Sequence, residues 1–185
     1  MPPAICASRR ARPGSTSTDA RPLTSAPVRI PRDIYERIFE QARAELPNEC
    51  CGLIGGTREQ ARTIYPAANA EASPFRYVLD PMDQLRISDE MDAAGEELAA
   101  IYHSHTKSEA YPSQTDINLA LVERRDGDGP PERIQLFPGT IYLIASLADE
   151  ERPLRGFDIR GDGVEEIPLE VVSPPSSERR RSRRE

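Results

Sequence analysis

The chain holds only two histidines in 185 residues, and they stand two apart, as His103 and His105. Two histidines placed at random in a chain of this length would take that spacing in about 1% of cases, so the pair asks for a chemical explanation. On a β-strand, residues i and i+2 point to the same face, which lets both imidazoles address one point. That is half of a metal site. A catalytic site of this kind uses three protein ligands and leaves a fourth position for water. Downstream the chain reads His103-Ser-His105-Thr-Lys-Ser-Glu-Ala-Tyr-Pro-Ser113-Gln-Thr-Asp116, an H-x-H-x7-S-x2-D segment. Ser113-x-x-Asp116 also has the form of a helix capping box, and a helix start at Ser113 would itself fix the direction of the Asp116 carboxylate. The histidines could be structural instead, but two polar rings at the end of an apolar strand need partners.

Upstream stands Glu49-Cys50-Cys51-Gly52-Leu-Ile-Gly-Gly. Alone, Glu49 is an ordinary loop acid. Cys50 and Cys51 could ligate a metal or act as a redox pair, but Cys51 opens a strand pattern, where cysteine is usually a small buried hydrophobe, and packing is the expected role of both.

Together, the H-x-H-x7-S-x2-D segment and the upstream glutamate resemble the signature of the JAMM (JAB1/MPN/Mov34) metallopeptidase family, over roughly residues 29–171. The resemblance implies a JAB1/MPN-like, cytidine-deaminase-like fold and assigns roles position by position. His103, His105 and Asp116 would bind one Zn²⁺ with a water in the fourth place. Glu49 would be the general base, and Ser113 would hydrogen-bond the oxyanion of the tetrahedral intermediate. Members that cleave isopeptide bonds to ubiquitin often carry Pro directly after the second histidine. Here that position is Thr106. The segment is more similar to the bacterial branch that processes ubiquitin-like sulfur-carrier proteins, and most of all to actinobacterial enzymes that release a C-terminal cysteine from such a carrier. That likeness implies a sulfur-carrier substrate and a cysteine synthase as a companion in cysteine biosynthesis. An isopeptidase or general peptidase acting on other ubiquitin-like tails shares every catalytic residue and is the alternative. A non-catalytic scaffold of the same fold is the third class, but such members lose a zinc ligand and none is missing here. A flexible carrier tail would lie extended along a sheet edge. Residues 108–112, which link the two ligand-bearing elements, are expected to form part of the wall of its groove, Tyr111 among them.

These residues need elements to hold them. Pro31 suits the first position of a helix, and Ile34, Ile38 and Ala42 continue helical spacing to about Glu45, where Pro47 and Asn48 end it. Short strands are expected at 51–54, 62–65 and 75–79. A second helix starts at Pro81 with Met82, Leu85 and Met91 on its apolar side. Residues 98–103 read as a buried strand that delivers the histidines to a sheet end. A third helix is expected from 114 to 123, an exposed loop from 124 to 131, and strands at 141–147, 156–160 and 166–171 around a Gly-Asp-Gly turn. The sum is an α/β (α+β) single domain, a mixed sheet flanked by helices.

Composition bounds the rest. With 37% hydrophobic and 30% charged residues and 18 prolines, the ordered part is expected to be shorter than the chain. Residues 1–28 and 174–185 are aperiodic, each with a net charge of +3, and are expected to be disordered basic tails. Removing both from the total of −7 leaves −13 on residues 29–173. An acidic body of that size argues against nucleic acid and favours a basic protein partner. No run reaches the roughly 18 apolar residues of a membrane helix. The N-terminal segment lacks the apolar core of a secretory signal, and three cysteines, two adjacent, form no disulfide framework, so a cytoplasmic location is expected.

Overall fold

Apolar residues alternate along the central strands, and this alternation divides the core in two. The computed structural model describes residues 26–125 and 129–173. In chain order the elements are β1 (Val28–Pro31), α1 (Arg32–Ala44), β2 (Cys51–Thr57), β3 (Gln60–Ala67), α2 (Pro81–Ala94), β4 (Glu97–His105), α3 (Gln114–Ala120), β5 (Leu121–Arg124), β6 (Glu132–Gln135), β7 (Ile141–Ser146), β8 (Leu154–Arg160), β9 (Gly163–Ile167) and β10 (Leu169–Val172). Eight strands form one mixed sheet in the order β10-β1-β3-β2-β4-β7-β8-β9, while β5 and β6 make a separate antiparallel pair. Successive side chains of a strand point to opposite faces. Ile54, Ala100, Tyr102, Leu143 and Ala145 therefore pack with Ile34, Ile38 and Ala42 of α1 on one face. Leu53, Ile101, Tyr142, Ile144 and Phe157 pack with Ile87 and Met91 of α2 and Ala120 of α3 on the other.

Only Pro168 separates β9 from β10, although these strands lie at opposite ends of the sheet order. The two edges must therefore meet, and the sheet curls almost into a barrel around α1. The Val28 amide donates to the Pro168 carbonyl at 2.8 Å and closes the seam.

Sequence expectations hold for the mixed α/β architecture and for the interior strands, and they fail in instructive places. Pro31 is the residue before α1 and the end of a strand, so the helix begins one residue later; β1 takes in Val28, which is buried although it falls in the expected tail. Ala26 and Pro27 of that tail are exposed, and residues 1–25 and 174–185 lie outside the described residues. Residues 75–79 form no strand: Leu79 makes a lone bridge to Asn69, and Phe75 is 74% exposed. On α2, Met82 and Leu85 face outward at 73% and 63% exposure, and Ile87 and Met91 are the buried residues. Asp80 caps that helix by accepting from the Met82 and Asp83 amides, and Gly95 ends it with φ of 65°, a conformation that glycine takes at no steric cost. The third helix stops at Ala120, because Leu121–Arg124 pairs with Glu132–Gln135 in place of a last helical turn. Arg124 thus leaves the expected loop for a strand, and residues 126–128 of that loop lie outside the described ones. The last expected strand is split by Pro168, which cannot donate to a ladder. No helix among the described residues is long and apolar enough to cross a membrane.

Asp158 of β8 ties the β5–β6 pair to the sheet. Its carboxylate, 1% exposed, accepts from Arg58 Nη2 at 2.6 Å, Arg160 Nη2 at 2.7 Å and Gln135 Nε2 at 2.8 Å. Burial works to raise its pKa, but these donors outweigh it and hold the group below the usual carboxylate range. Asp158→Asn is expected to cost about 1–3 kcal/mol in chemical denaturation near pH 7. Because the folded pKa is depressed, that contribution is fully present above about pH 4 and is lost as pH falls through the lower folded value. The stabilities of the wild type and the Asp158→Asn variant should therefore converge in acid.

Candidate metal centre

β4 lies between β2 and β7 in the middle of the sheet, so its register is set from both sides. Cys51 and Ile144 flank His103, and Ser146 pairs with His105. A slip of one residue would turn both rings to the α1 face. The ladder with β2 extends past its last pair: the Ser104 amide donates to the Cys50 carbonyl at 3.0 Å, and Ser104 Oγ accepts from the Cys50 amide at 2.9 Å. Glu49, two residues before Cys51, thus lies beside His105 on the histidine face.

Asp116 comes from another direction. Ser113 is the N-cap of α3: its Oγ accepts from the Asp116 amide at 3.3 Å, and its own amide donates to Asp116 Oδ2 at 2.7 Å. The capping box and the candidate ligand are thus one structure. The cap holds the carboxylate against the histidines, Oδ1 at 3.4 Å from His103 Nε2 and Oδ2 at 3.4 Å from His105 Nε2, and the two Nε2 atoms are 3.2 Å apart. A tetrahedral ion with bonds of about 2.0–2.1 Å keeps its ligand atoms about 3.3–3.4 Å apart; each histidine Nε2 has one Asp116 oxygen and the other ring nitrogen near that spacing, the two rings facing different oxygens of the carboxylate. The three residues form a group that could hold a metal ion, and each is buried, with at most 5% exposure. Two ring nitrogens at 3.2 Å can share one proton or face a cation, and a buried Asp116 carboxylate between them favours the cation.

The electrostatics separate the roles. Burial works to raise the Asp116 pKa, but hydrogen bonding to His103 and His105 holds it far below the usual range, so it is an anion. Burial lowers the His103 pKa and keeps that ring neutral, as a ligand must be. Burial also opposes charging of His105, but its hydrogen bonds to Asp116 and the Glu109 carbonyl raise its pKa. Glu49 is buried, and desolvation pushes its pKa up to about 7; His105 opposes this and Asp116 adds to it. A carboxylate poised near neutrality is suited to take and return a proton at ordinary pH.

The structure brings together His103, His105 and Asp116, with Glu49 beside them, and leaves Ser113 exposed at the helix start. Cys50 and Cys51 stay outside the group. Burial raises the Cys50 thiol to about 12 and the Cys51 thiol higher still, and the two side chains pack into opposite halves of the core. Sequence reasoning missed the residues that hold the rings. Tyr77 stacks on His103 with centroids 4.4 Å apart, and the Glu109 carbonyl accepts from His105 Nδ1 at 2.8 Å. Neither stands at a diagnostic spacing from the histidines. Gly52 of the upstream segment answers to a steric demand, since a Cβ there would lie 2.5 Å from the Tyr65 carbonyl oxygen and on the Tyr102 ring.

Residues 31–155 match the family described as prokaryotic homologs of the JAB domain, and the chain belongs to that family. It is a peptidase of the JAMM type. It is 35% identical over 146 residues to the CysO-cysteine peptidase of Mycobacterium tuberculosis, covering 77% of this chain and 90% of that protein. It is also 31% identical to the desampylase of Haloferax volcanii, over 67% of this chain and 84% of the relative. Among solved structures, a Desulfitobacterium hafniense protein with 29% identity superposes with a TM-score of 0.65, over 82% of this chain and 97% of that one.

Because both thiols are buried and protonated, a Cys6→Ser variant is expected to show no reaction with a thiol reagent at pH 7.5 until it unfolds. Rapid labelling of either remaining cysteine in the folded protein would contradict this placement.

Proposed function

We propose that the chain is a zinc-dependent peptidase that hydrolyses the amide bond at the C-terminus of a ubiquitin-like sulfur-carrier protein and releases cysteine. The observation that carries this reading is the convergence of His103, His105 and Asp116 beside a Glu49 raised to about 7. It is supported by similarity to a CysO-cysteine peptidase over nine-tenths of that relative. A donor set of two imidazoles and one carboxylate suits zinc.

Zinc, when bound, supplies a Lewis acid and lowers the pKa of water to near 7. The chain's own residues do the rest. Glu49 takes a proton from water as its oxygen bonds to the scissile carbonyl carbon, and returns it to the leaving nitrogen as the carbon–nitrogen bond breaks. The products are a carrier carboxylate and free cysteine. The Ser113 hydroxyl, whose oxygen already accepts from the Asp116 amide, keeps its own proton to donate to the developing oxyanion. A cysteine synthase is the enzyme class that would supply such a substrate, and the −13 charge on residues 29–173 favours a carrier with a basic face.

A second reading is isopeptide cleavage of ubiquitin-like conjugates. It is favoured by the 31% identity to a desampylase and by 39% identity over 92 residues to a probable TtuB-protein conjugate cleaving protease of Thermus thermophilus.

Incubation with a carrier bearing a C-terminal cysteine, followed by intact mass, is expected to show loss of one cysteine residue. Glu49→Ala should reduce the rate by about 10²–10⁴-fold, and chelation should abolish it. Cleavage of a lysine-linked conjugate but not of the cysteine-tailed carrier would favour the second reading; cleavage of neither would reject both.

A further inference from the structure

The two histidines are oriented by different means. His103 stands inside a row of sheet-paired residues, Cys51, His103, Ile144 and Arg155, and its ring is stacked on Tyr77. His105 is the last residue of β4, and its ring takes its direction from Nδ1, which donates to the Glu109 carbonyl at 2.8 Å with Ser108 Oγ alongside at 3.1 Å. A carbonyl can only accept, so this bond places the proton on Nδ1 and leaves the Nε2 lone pair facing the centre. Glu109 belongs to the segment between β4 and α3, which has no strand or helix of its own. Whatever fastens that segment also aims His105.

Two residues fasten it: Ser146 Oγ donates to the Ser108 carbonyl at 2.6 Å, and Arg155 of β8 holds the stretch around Tyr111. Its guanidinium lies 5.3 Å from the Tyr111 ring centroid and 5.1 Å from that of Phe157, and these two rings meet edge to face at 5.3 Å. Nη1 reaches to 3.6 Å from the Glu109 carboxylate. The fork is held from behind by Glu166, with Nε to Oε1 at 3.1 Å and Nη2 to Oε2 at 2.5 Å. A cation in this buried place is a costly way to fill space, and an apolar residue would serve stability as well or better. What the guanidinium adds is direction. It sits against two nearly perpendicular rings while both edges of its fork are engaged, Nε and Nη2 by Glu166 and Nη1 toward Glu109, a geometry that lysine cannot reproduce.

We propose that Arg155, clamped by Glu166, is a positioning residue of the metal centre: it holds Tyr111 and Glu109 so that the Glu109 carbonyl keeps His105 Nε2 on the ion. This rests on reading His103, His105 and Asp116 as a zinc site. The test measures zinc affinity of the metal-free full chain by competition with a chromophoric chelator, for wild type, Arg155→Lys, Glu166→Gln, Tyr111→Leu and the remote control Asp158→Asn, all at a temperature where circular dichroism shows them folded. Expected is about a tenfold or greater loss of affinity in Arg155→Lys and in Tyr111→Leu, a smaller loss in Glu166→Gln, and wild-type affinity in Asp158→Asn. Should Arg155→Lys not fold, the Tyr111→Leu and Glu166→Gln pair decides the matter. Wild-type zinc affinity in the folded Arg155 and Tyr111 variants overturns the proposal while leaving the zinc site standing. Equal loss in Asp158→Asn reduces the effect to general destabilisation and overturns it too. Absence of stoichiometric zinc binding by the wild type removes the zinc reading and this inference with it.

Discussion

Three buried polar groups face one another at 3.2–3.4 Å in the middle of this protein, and none of them could stay there without the others. Two imidazole lone pairs at that distance repel, and a lone buried carboxylate would carry a large desolvation penalty. The arrangement is acceptable only as a unit, with a charge at its centre or a proton shared within it. Much of the fold serves to hold it. The central place of β4 fixes which face the rings take, the curled sheet brings β8 and the loop after β4 together, and the N-cap of α3 delivers the carboxylate from outside the sheet.

The same burial produces different chemistry in each group, because its sign depends on which form is charged. Desolvation is the main force that drives Glu49 up to about 7 and the two cysteines beyond useful reactivity. Asp116 is equally deep, yet the two histidines beside it keep it ionised. The buried interior thus holds a group suited to moving protons and an anion suited to a cation, with thiols in its two core halves that act only as packing.

The motif residues were legible from spacing because spacing is what the chemistry constrains. A His-x-His pair on a strand and an aspartate at the third position of a capped helix are short-range patterns, and the elements that carry them follow from local rules. Legibility failed where long-range packing overrides local preference. Met82 and Leu85 carry an apolar signal but point outward, since only one stripe of α2 can meet the sheet. Residues 121–123 continue a helical pattern but pair with a strand some ten residues downstream. Residues 75–79 alternate like a strand, yet Asn69 takes over that stretch by accepting from the Val78 amide and donating to the Arg76 carbonyl.

By itself, the sequence determined the candidate ligands, the candidate base, the family and the mixed α/β class, because each depends on residue type at fixed short separations. Only the tertiary structure decided how the centre is supported: that Tyr77 lies on His103, that a backbone carbonyl sets the tautomer of His105, and that Arg155, fifty residues further on, sits against the segment that carries this carbonyl. These contacts join residues with no fixed sequence separation. They exist because the parallel pairing of β4 with β7, and of β7 with β8 in the opposite sense, lays residues 103, 144 and 155 in one row, and no local pattern specifies that row.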